Sequence, residues 1–461
     1  MPNLKVIVNS SFIFILLSFL LNSCSESTSP PPPVDKPIEA ALAIADTGLV
    51  ELSLNLKLQN AVFPLAYSLS RNKMADTTRG DTLIYSGTLT TSDTLFYDSN
   101  LKPQTEYSYR LLLNDSLGIK RDTFDFTLST MDTTSHDFSW QVFEFGGEPG
   151  TGSSYLNDVA IINPDDIWAV GSITLRDSVG ELQSYNAVHW DGEKWELKRI
   201  EVIYRGNPSF APLNGVFAFD SDNVWFSSGL PYKPLGNNKW QLYHLWDMGV
   251  LDDEDRGVNK IWGTSSSNLY VVGGNGTIVH YNGNSWQKLE SGTDVNLTDV
   301  WGTPDGSVIW ACGLDRNTNT TDLIEIKNNS VQIKYRNHAL GGDGLPDTLS
   351  GSLRSGAYVS PRHLFIQSHK RLYYQNRIFN NYQSLPQGHV FPTLNRMAAQ
   401  KLNDVILCGY GAYIYYYNGS HITTHEFPGS DNSLVSVDYK GNTVCSVGWS
   451  GNKAFIVLGS N

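Results

Sequence analysis

Short runs of apolar residues, each closed by turn residues, fill residues 258–289. Residues 269–272 form a β-branched and aromatic run, and residues 277–281 alternate between apolar and polar types before Asn282-Gly283. An Asn-Gly pair favours a two-residue hairpin, because both central residues of a type I′ turn need a positive φ. With Trp286 opening a further run, the pattern predicts one sheet of four short antiparallel strands. Such a sheet cannot bury both of its faces alone, so copies of it are expected.

Six further copies of the second strand of this unit occur between residues 137 and 461. They are residues 166–171, 223–226, 308–313, 363–366, 404–409 and 443–448. A first strand precedes each copy, and several third strands end in Asp-Gly or Asn-Gly, as at Asp191-Gly192 and Asn418-Gly419. Seven four-stranded sheets at a period of about forty residues or more predict a seven-bladed β-propeller over residues 137–461.

The two ends of this repeat array complement each other. The last copy stops after its third strand, residues 454–458, whereas residues 138–143 form an unused strand with the pattern of the fourth strand at 285–289. We expect strand 138–143 to pair with strand 454–458. That pairing would close the ring and remove two exposed sheet edges.

The repeats resemble the blades of many bacterial secreted or surface propellers. The shared features are Trp-Gly in the first strand, as at Trp262-Gly263, a second strand of the type at 166–171, and His-Tyr-Asn-Gly before a Trp, as at 280–286. They are more distantly similar to the propeller of photosystem-assembly factors. The resemblance implies the fold and says little about function, because propellers serve as binders, scaffolds and enzymes alike.

A smaller unit precedes the repeats at residues 38–131, where residues 52–58 alternate strictly with Leu on one face. Residues 101–110 resemble the Leu-x-Pro-x-Thr-x-Tyr stretch of fibronectin type III domains. The resemblance implies a β-sandwich in which Tyr107 is the structural tyrosine corner, its hydroxyl bonded to backbone upstream. Such sandwiches usually present or space other domains. The predicted fold class is all-β, a fibronectin type III-like β-sandwich plus a seven-bladed β-propeller.

The first 37 residues predict export and anchoring. Residues 12–21 are almost entirely apolar, too short for a bilayer-spanning helix, and fit a signal peptide at 1–23. Residues 21–24 resemble a bacterial lipobox, which implies that Cys24 carries a lipid and attaches the chain to the membrane. Ser25 after that Cys implies the outer membrane, with the protein either periplasmic or surface-exposed. Residues 24–37 include four consecutive prolines and are expected to form an extended tether. An ordinary signal peptide is the alternative.

Charge and motifs exclude several function classes. The net charge of -13 comes without a basic stripe for phosphates, which argues against a nucleic-acid partner. No metalloprotease, P-loop or serine-hydrolase motif occurs, and neither a metal nor a cofactor is expected. The acidic run at 252–255 lacks the Gly spacing of a calcium loop, so we interpret it as a solvated loop.

Histidines and cysteines in the repeats are interpreted as structural. His189 and His280 occupy equivalent third-strand positions, which favours a repeat role over a ligand role. Three cysteines lie in second strands of different blades and are expected to be small buried residues with free thiols: Cys312, Cys408 and Cys445.

Loop length points to one face of the propeller. The expansions at 172–185, 229–236 and 314–322 fall between second and third strands, and those at 201–212, 243–257 and 336–351 fall between blades. These two kinds of connection share one face of a propeller, and long loops on a rigid scaffold are where binding usually occurs. The candidate binding residues on them are Tyr204, Arg205, Phe210, Tyr232, Trp246, Arg316, Arg336 and His338. Each of these side chains could instead pack its own loop.

The leading hypothesis is a lipid-anchored, non-enzymatic binding or scaffolding protein whose long-loop face binds a protein or a glycan. The alternative is a glycan-active hydrolase or lyase with carboxylates at the channel mouth, for which the candidates are Asp177, Asp252, Asp343 and Asp347. A purely structural component of an envelope assembly is a third possibility. Two carboxylates about 5–10 Å apart in a cleft would favour hydrolysis, whereas an open patch of aromatic and Arg side chains would favour binding.

Overall fold

The computed structural model describes residues 36–48, 50–73, 81–114, 119–338, 348–376, 381–386, 388–427 and 431–461. Within these ranges every regular element is a β-strand, and the 37 strands are labelled β1 to β37 in chain order. Among the described residues no helix is long and apolar enough to cross a membrane. The predicted signal peptide, Cys24 and most of the predicted tether lie outside the described residues.

The first seven strands form two facing sheets. They are β1 (Glu39–Thr47), β2 (Leu52–Gln59), β3 (Leu65–Lys73), β4 (Thr82–Leu89), β5 (Asp93–Asp98), β6 (Glu106–Asn114) and β7 (Lys120–Ser129). One sheet has the order β1-β2-β5 and the other the order β4-β3-β6-β7. The alternation of residues 52–58 is observed as β2, whose Leu54 and Leu56 are buried in a core shared with Phe96 and Leu111. The two sheets therefore form a sandwich around one hydrophobic core.

Tyr107 lies near the start of β6, and its buried side chain holds the turn before that strand. The backbone N–H of Lys102 donates to the Tyr107 hydroxyl oxygen at 2.9 Å. The Thr130 hydroxyl donates to the Lys102 carbonyl at 2.6 Å from the end of β7. A tyrosine corner makes a bond of this kind to backbone a few residues upstream.

The blades are seven four-stranded antiparallel sheets. Blade 1 contains β9 (Tyr155–Asn163), β10 (Asp166–Arg176), β11 (Leu182–Trp190) and β12 (Trp195–Lys198). The hairpin β13 (Val202–Tyr204) and β14 (Asn207–Ser209) follows it. Blade 2 contains β15 (Gly215–Ala218), β16 (Val224–Ser227), β17 (Pro231–Gly236) and β18 (Lys239–Leu242). Blade 3 contains β19 (Val258–Ser265), β20 (Asn268–Gly273), β21 (Ile278–Tyr281) and β22 (Trp286–Leu289).

The remaining blades follow the same order. Blade 4 contains β23 (Asn296–Gly302), β24 (Ile309–Asp315), β25 (Thr320–Lys327) and β26 (Ser330–Asn337). Blade 5 contains β27 (Leu353–Ser360), β28 (His363–Ser368), β29 (Leu372–Asn376) and β30 (Asn381–Ser384). Blade 6 contains β31 (Leu394–Lys401), β32 (Asp404–Gly409), β33 (Tyr413–Tyr417) and β34 (Ile422–Glu426). Blade 7 contains β35 (Asn432–Lys440), β36 (Thr443–Ser450), β37 (Lys453–Ser460) and, from the other end of the chain, β8 (Ser139–Gly146).

Contacts between first strands close the seven blades into a ring. Each first strand contacts the next one along the chain, from β9 to β35, and β35 contacts β9 again. Strand β8 pairs antiparallel with β37, from Ser139 opposite Ser460 to Gly146 opposite Lys453. Each neighbouring pair of blades shares a hydrophobic core. This topology confirms an all-β chain with a β-propeller.

One first strand has a Gly where most other blades have a larger residue. The reason is that an indole ring of the neighbouring blade occupies the space that a side chain would need. A Cβ on Gly356 in blade 5 would overlap the ring of Trp301 in blade 4. A Cβ on Gly302 would likewise overlap the ring of Trp262 in blade 3. At these two interfaces, the Trp of one blade fills the space left by a Gly of the next.

Several expected loops turn out to be strands. Residues 172–185 and 314–322 extend the hairpins β10–β11 and β24–β25, leaving turns of only a few residues at their tips. Residues 231–236, expected to be part of an expansion, form β17, the third strand of blade 2. The longer hairpins continue the hydrogen-bonded pairing of strands within the blade. Their backbone N–H and C=O groups are therefore paired with each other, whereas those of a loop would be hydrogen-bonded to water.

The Asn282-Gly283 turn also differs from the expected two-residue type. Tyr281 pairs with Trp286, so four residues connect the strands, and of the Asn-Gly pair only Gly283 has a positive φ. The Asn282 side-chain oxygen accepts the backbone N–H groups of Asn284 and Ser285 at 3.0 and 2.9 Å. Asn therefore serves here as a side-chain acceptor that caps the loop.

The sandwich and the chain that follows it contact blades 5 and 6. Glu51 accepts a hydrogen bond from the Tyr374 hydroxyl at 2.6 Å, and the same Oε1 lies 2.9 Å from His363 Nε2. Val50 and Met131 pack on the core between these blades. These contacts attach the sandwich directly to the propeller.

The linker continues across the turns of blade 6. The side-chain amide of Asn403, in the first-to-second turn, donates to the Asp132 carbonyl at 2.7 Å. The backbone N–H of Thr134 donates to the carbonyl of Asn418, in the third-to-fourth turn, at 3.2 Å. The sandwich and linker therefore contact the propeller largely on the side of these two kinds of turn.

Candidate functional site

The propeller has two chemically distinct faces. The short-turn face carries the first-to-second and third-to-fourth turns, and it contacts the linker through Asn403 and Asn418. The long-loop face carries the second-to-third turns and the connections between blades. It lies on the opposite side of the ring.

Two of the predicted binding residues, Tyr204 and Arg205, meet a neighbouring loop at the tip of the β13–β14 hairpin. Arg205 makes a bidentate contact with Asp247, with Nη2 donating to Oδ1 at 2.9 Å and Nε to Oδ2 at 3.3 Å. The Tyr204 hydroxyl donates to the same Asp247 at 3.1 Å, and its ring stacks on His244 at 4.6 Å. We call these four residues the hairpin cluster. Its polar groups pair with one another, so the cluster fixes two connections together.

Sequence reasoning missed Asp247 and His244, because nothing in the 243–257 connection marks them as partners of a hairpin some forty residues earlier. Trp246 was predicted, and its indole N–H donates to the carbonyl of Asp252 at 2.9 Å. Phe210 lies under the guanidinium of Arg199, with 4.0 Å from Arg199 Cζ to the ring centroid. These two aromatic side chains thus make contacts within their own region of the face.

Tyr232 is a correction to the predicted binding set. It lies in β17 with 4% of its surface exposed and packs in the core between blades 1 and 2. The strand pattern of 231–236 places its ring on the inward-facing side, so Tyr232 stabilises the blade and does not face a partner.

Arg336 and His338 line a cavity of about 340 Å³ together with Asp294, Asp315 and Thr320. Arg336 makes a bidentate pair with the fully buried Asp322, at 2.9 and 2.7 Å. His338 Nδ1 lies 3.1 Å from the Thr320 hydroxyl. Because Asp322 neutralises its guanidinium, Arg336 is not free to recognise an anion in this cavity.

A larger cavity, about 400 Å³, opens at the mouth of the central channel on the long-loop face, and we call it the arginine pocket. It is lined by Thr298, Arg316, Arg354, Thr393, Asn395, Arg396, Tyr410, Ser433, Val435 and Trp449. These residues come from the ends of strands and turns in blades 4 to 7. The predicted residue Arg316 belongs to this group, whereas the other nine were not predicted.

Two arginines of the pocket carry uncompensated charge. Within the part of the chain that the structure describes, no carboxylate pairs with Arg316 or Arg354, and the buried Nε of Arg354 has no acceptor. Burial, and secondarily the neighbouring charge of Arg316, lower the pKa of Arg354 below its ordinary value. A guanidinium still remains protonated, because its ordinary pKa is above 12. The described part of the pocket therefore holds two positive charges for which it provides no carboxylate partner.

Arg396, the third arginine, is already engaged. It forms an ion pair with Asp299, and its Nη2 donates to the Thr298 carbonyl at 3.2 Å. Asp299 also accepts a hydrogen bond from the Ser355 hydroxyl at 2.6 Å. Burial alone would lower the pKa of Arg396, but Asp299 and Asp158 together raise it. Arg396 thus stays fixed as one wall of the arginine pocket.

A layer of charged residues crosses the channel next to the pocket. Lys260 of blade 3 reaches Asp158 of blade 1, with Nζ 2.7 and 2.8 Å from the two carboxylate oxygens. We call the Lys260–Asp158 and Arg396–Asp299 pairs, with the buried Asp438, the ionic layer. Arg396 lines both the arginine pocket and a second channel cavity of about 290 Å³, which all seven first strands line.

The aligned repeats contain a sequence pattern that predicts this ionic layer, although the sequence analysis did not use it. The first strands of the seven repeats align at Val159, Val216, Ile261, Val300, Gly356, Met397 and Val437. The residues directly before this aligned position are Asp158, Gly215, Lys260, Asp299, Ser355, Arg396 and Ser436. Four of the seven are charged, although the residues that directly follow them are apolar or Gly. A recurrent charge at one register position of an inner strand predicts a polar ring within the channel.

The described carboxylates proposed for catalysis hold their own loops. Asp177 accepts backbone N–H groups of Val179 and Glu181, at 3.0 and 2.9 Å. A side-chain hydrogen bond from Gln183 is the largest influence lowering the pKa of Asp177. Asp252 accepts the Glu254 N–H at 2.9 Å, and this bond is the largest influence lowering its pKa. Low pKa values leave both carboxylates ionised, which does not suit a general acid. Asp343 and Asp347 lie outside the described residues.

The acidic run at 252–255 has a protein cation of its own. Lys288 Nζ lies 2.7 Å from Asp255 and 3.3 Å from Asp252. Among the residues that the structure describes, no group of three or more His, Cys, Asp or Glu side chains could hold a metal ion. The run thus forms an ion-paired loop.

The repeated histidines occupy equivalent environments. His189 Nε2 lies 2.8 Å from Asp166 and the ring stacks on Trp168 at 4.4 Å. His280 Nε2 lies 2.8 Å from the Asn268 side chain and its ring stacks on Tyr270 at 4.3 Å. Both residues therefore brace the second and third strands of a blade.

The three cysteines of the blades are buried and unbonded: Cys312, Cys408 and Cys445. Burial raises the pKa of all three thiols, that of Cys408 to about 12. They pack as small apolar side chains in the second strands, and as thiols they are poor nucleophiles.

No protein-family model matches this chain, and no curated protein matches it. Among solved structures, it is similar to YCF48 bound to D1 peptide, at 14% identity and a TM-score of 0.48, over 72% of this chain and 100% of that chain. It is also similar to Saccharomyces cerevisiae Sqt1, at 10% identity and a TM-score of 0.42, over 69% of this chain and 98% of that chain. At such low TM-scores, the propeller assignment for this chain rests on its strand topology.

Proposed function

We propose that this protein is a lipid-anchored, non-enzymatic binding or scaffolding protein of the bacterial cell envelope, attached to the outer membrane through Cys24. Its propeller binds a protein or glycan partner through the long-loop face. The observation that carries the proposal is the arginine pocket, a cavity at the channel mouth with two arginines that no described carboxylate neutralises. A pocket with convergent, unpaired polar groups is the usual form of a ligand site.

The position of the sandwich supports this assignment. The chain enters the propeller along the short-turn face, through the contacts of Asn403 and Asn418 with the linker. A tether at 24–37 and a fibronectin type III-like spacer would therefore hold the propeller from that side. The long-loop face would then point away from the anchor, where a partner can reach it.

Site-specific photo-crosslinking in cells tests the binding face. A photoreactive amino acid at Tyr410, which is 54% exposed at the rim of the arginine pocket, is expected to capture a discrete partner. The same amino acid at the exposed Lys239, beside a third-to-fourth turn on the short-turn face, is the matched control. Adducts at Lys239 and none at Tyr410 would contradict the proposal.

Metabolic labelling with a palmitate analogue tests the anchor separately. We expect the wild-type chain to be labelled and the Cys24→Ala variant to lose both the label and its membrane association. Label that persists in Cys24→Ala would remove the lipoprotein assignment and leave the binding face unaffected.

A further inference from the structure

We propose that the arginine pocket binds carboxylate groups of an acidic peptide segment in a partner protein. This inference rests on the proposed function, because it gives the chemistry of the group that the long-loop face recognises. It is carried by Arg316 and Arg354, which both line the cavity, and by the shortage of acceptors around them among the described residues.

The charge of the pocket opposes that of the rest of the chain. The protein carries a net charge of -13, yet among the described residues no Asp or Glu lines this cavity. Arg354 is held partly out of water beside Arg316, and its buried Nε lacks an acceptor within the described chain. A planar carboxylate accepts two parallel N–H bonds from a guanidinium, and these charge-assisted bonds are among the strongest in proteins. An anion in the pocket would therefore relieve the repulsion between the two arginines.

The remaining polar groups favour a peptide over a glycan. The Asn395 amide already donates to the Leu434 carbonyl at 2.8 Å, and the Thr298 hydroxyl donates to the Arg354 carbonyl at 3.1 Å. These two side chains therefore already use their donors, and the guanidinium groups of Arg316 and Arg354 are the charged donors of the lining. A neutral sugar offers them hydroxyl oxygens, whereas an acidic peptide offers carboxylates, which accept stronger, charge-assisted hydrogen bonds. The lining matches the second type of ligand.

Two aromatic side chains complete the recognition surface. Tyr410 and Trp449 line the cavity beside the arginines. Tyr410 is held at the rim through its backbone, since its N–H donates to the Thr393 carbonyl at 3.0 Å. Aromatic rings and arginines together are the residue types that contribute most at protein interfaces. A cavity of about 400 Å³ accommodates a few peptide residues.

Fluorescence anisotropy on the complete chain in non-ionic detergent tests the inference. The probe is a fluorescein-labelled hexapeptide with three Asp residues, and its Asn counterpart is the control peptide. We expect Arg316→Gln and Arg354→Gln each to weaken binding of the Asp peptide at least tenfold. Lys239→Gln, which removes an exposed charge on the short-turn face, should leave binding unchanged. Arg316 is exposed, so its variant keeps the test valid if Arg354→Gln fails to fold.

The outcomes separate this inference from the proposed function. Equal affinity of wild type and both arginine variants, or equal binding of the Asp and Asn peptides, would overturn the inference. Tighter binding of trigalacturonic acid than of the Asp peptide, lost in Arg316→Gln, would replace the peptide with an acidic glycan. If no Asp peptide binds while Tyr410 still crosslinks a partner in cells, only the ligand chemistry is wrong. Absence of both signals would overturn the proposed function too.

Discussion

Replacing Lys260 by Met tests whether the ionic layer holds the ring together. Lys260 contacts both carboxylate oxygens of Asp158, which also accepts the Ser436 hydroxyl at 2.7 Å and the Val216 N–H at 3.1 Å. These groups belong to blades 3, 1, 7 and 2. The Asp158 side chain is 1% exposed and that of Lys260 is 17% exposed. Removing one partner of a buried ion pair costs about 3–5 kcal/mol, and we expect a loss in this range at neutral pH.

The size of the loss should depend on pH in a defined direction. Burial alone would raise the pKa of Asp158, but the attraction of Lys260 and Arg396 and the hydrogen bonds to its carboxylate lower it. In wild type, Asp158 therefore contributes stability that is present above its unfolded pKa of about 3.9 and is lost as the pH falls through the folded value. Without Lys260, burial and the neighbouring Asp438 raise the folded pKa of Asp158. The stability of Lys260→Met then falls as the pH rises, so its deficit relative to wild type should shrink from pH 7.5 to pH 4.5.

Urea unfolding followed by tryptophan fluorescence measures this free energy in the propeller alone. All 12 tryptophans lie between Trp140 and Trp449, outside the sandwich. The double variant Asp158→Asn/Lys260→Met removes both charges, and we expect it to be at least about 2 kcal/mol more stable than Lys260→Met. Lys239→Met, an exposed position in blade 2, is the control and should change the free energy by less than about 0.5 kcal/mol. A loss below about 1 kcal/mol for Lys260→Met, with no pH dependence, would refute the reasoning.

Three further predictions concern other parts of the molecule. Tyr107→Phe leaves the Lys102 N–H without its acceptor and should destabilise the sandwich by about 1–2 kcal/mol; faster hydrogen exchange in residues 101–129, with the propeller unchanged, is the expected readout. Glu51→Gln weakens the contacts with His363 and Tyr374, and thermolysin should cut the linker at 131–138 faster than in the exposed control Glu39→Gln; equal rates would mean that the junction is held by other contacts. In a Cys24→Ala chain, Ellman's reagent at pH 8 should detect no thiol until denaturant is added, because burial raises the pKa of Cys312, Cys408 and Cys445; one rapidly reacting thiol in the native chain would contradict this.

The propeller fold could be predicted from the sequence because the pattern of each strand is local and recurs from blade to blade. Residues 404–409 were recognised as a second strand from sequence, and β32 spans Asp404–Gly409. The first strands also lie where the sequence predicts them, because each aligned residue, from Val159 to Val437, lies in one of these strands. Loop length was less informative, because residues 172–185 and 314–322 have enough alternation to extend hairpins. Insertion length alone does not distinguish a loop from a longer strand pair.

The candidate site could be predicted only in part because it forms across blades. Arg316 was identified from its turn, but Arg354 lies at the start of an inner strand that otherwise reads as core. Trp449 follows from no local pattern, since it ends the second strand of blade 7. These positions are separated by long stretches of chain and converge only when the ring closes. Sequence periodicity locates a residue within its blade and does not indicate which residues of other blades it faces.

The pairing of β8 with β37 has a consequence for how the protein is made. Ser139 and Ser460 are 321 positions apart in the chain, so β8 leaves the ribosome long before its partner exists. The ring of blades can therefore close only after β37 has been synthesised, whereas the sandwich can fold earlier. A product that ends before Lys453 would leave both β8 and β36 with open edges, which are templates for aggregation. The closure thus requires synthesis to have passed Ser460, and proteolytic removal of β37 would undo it.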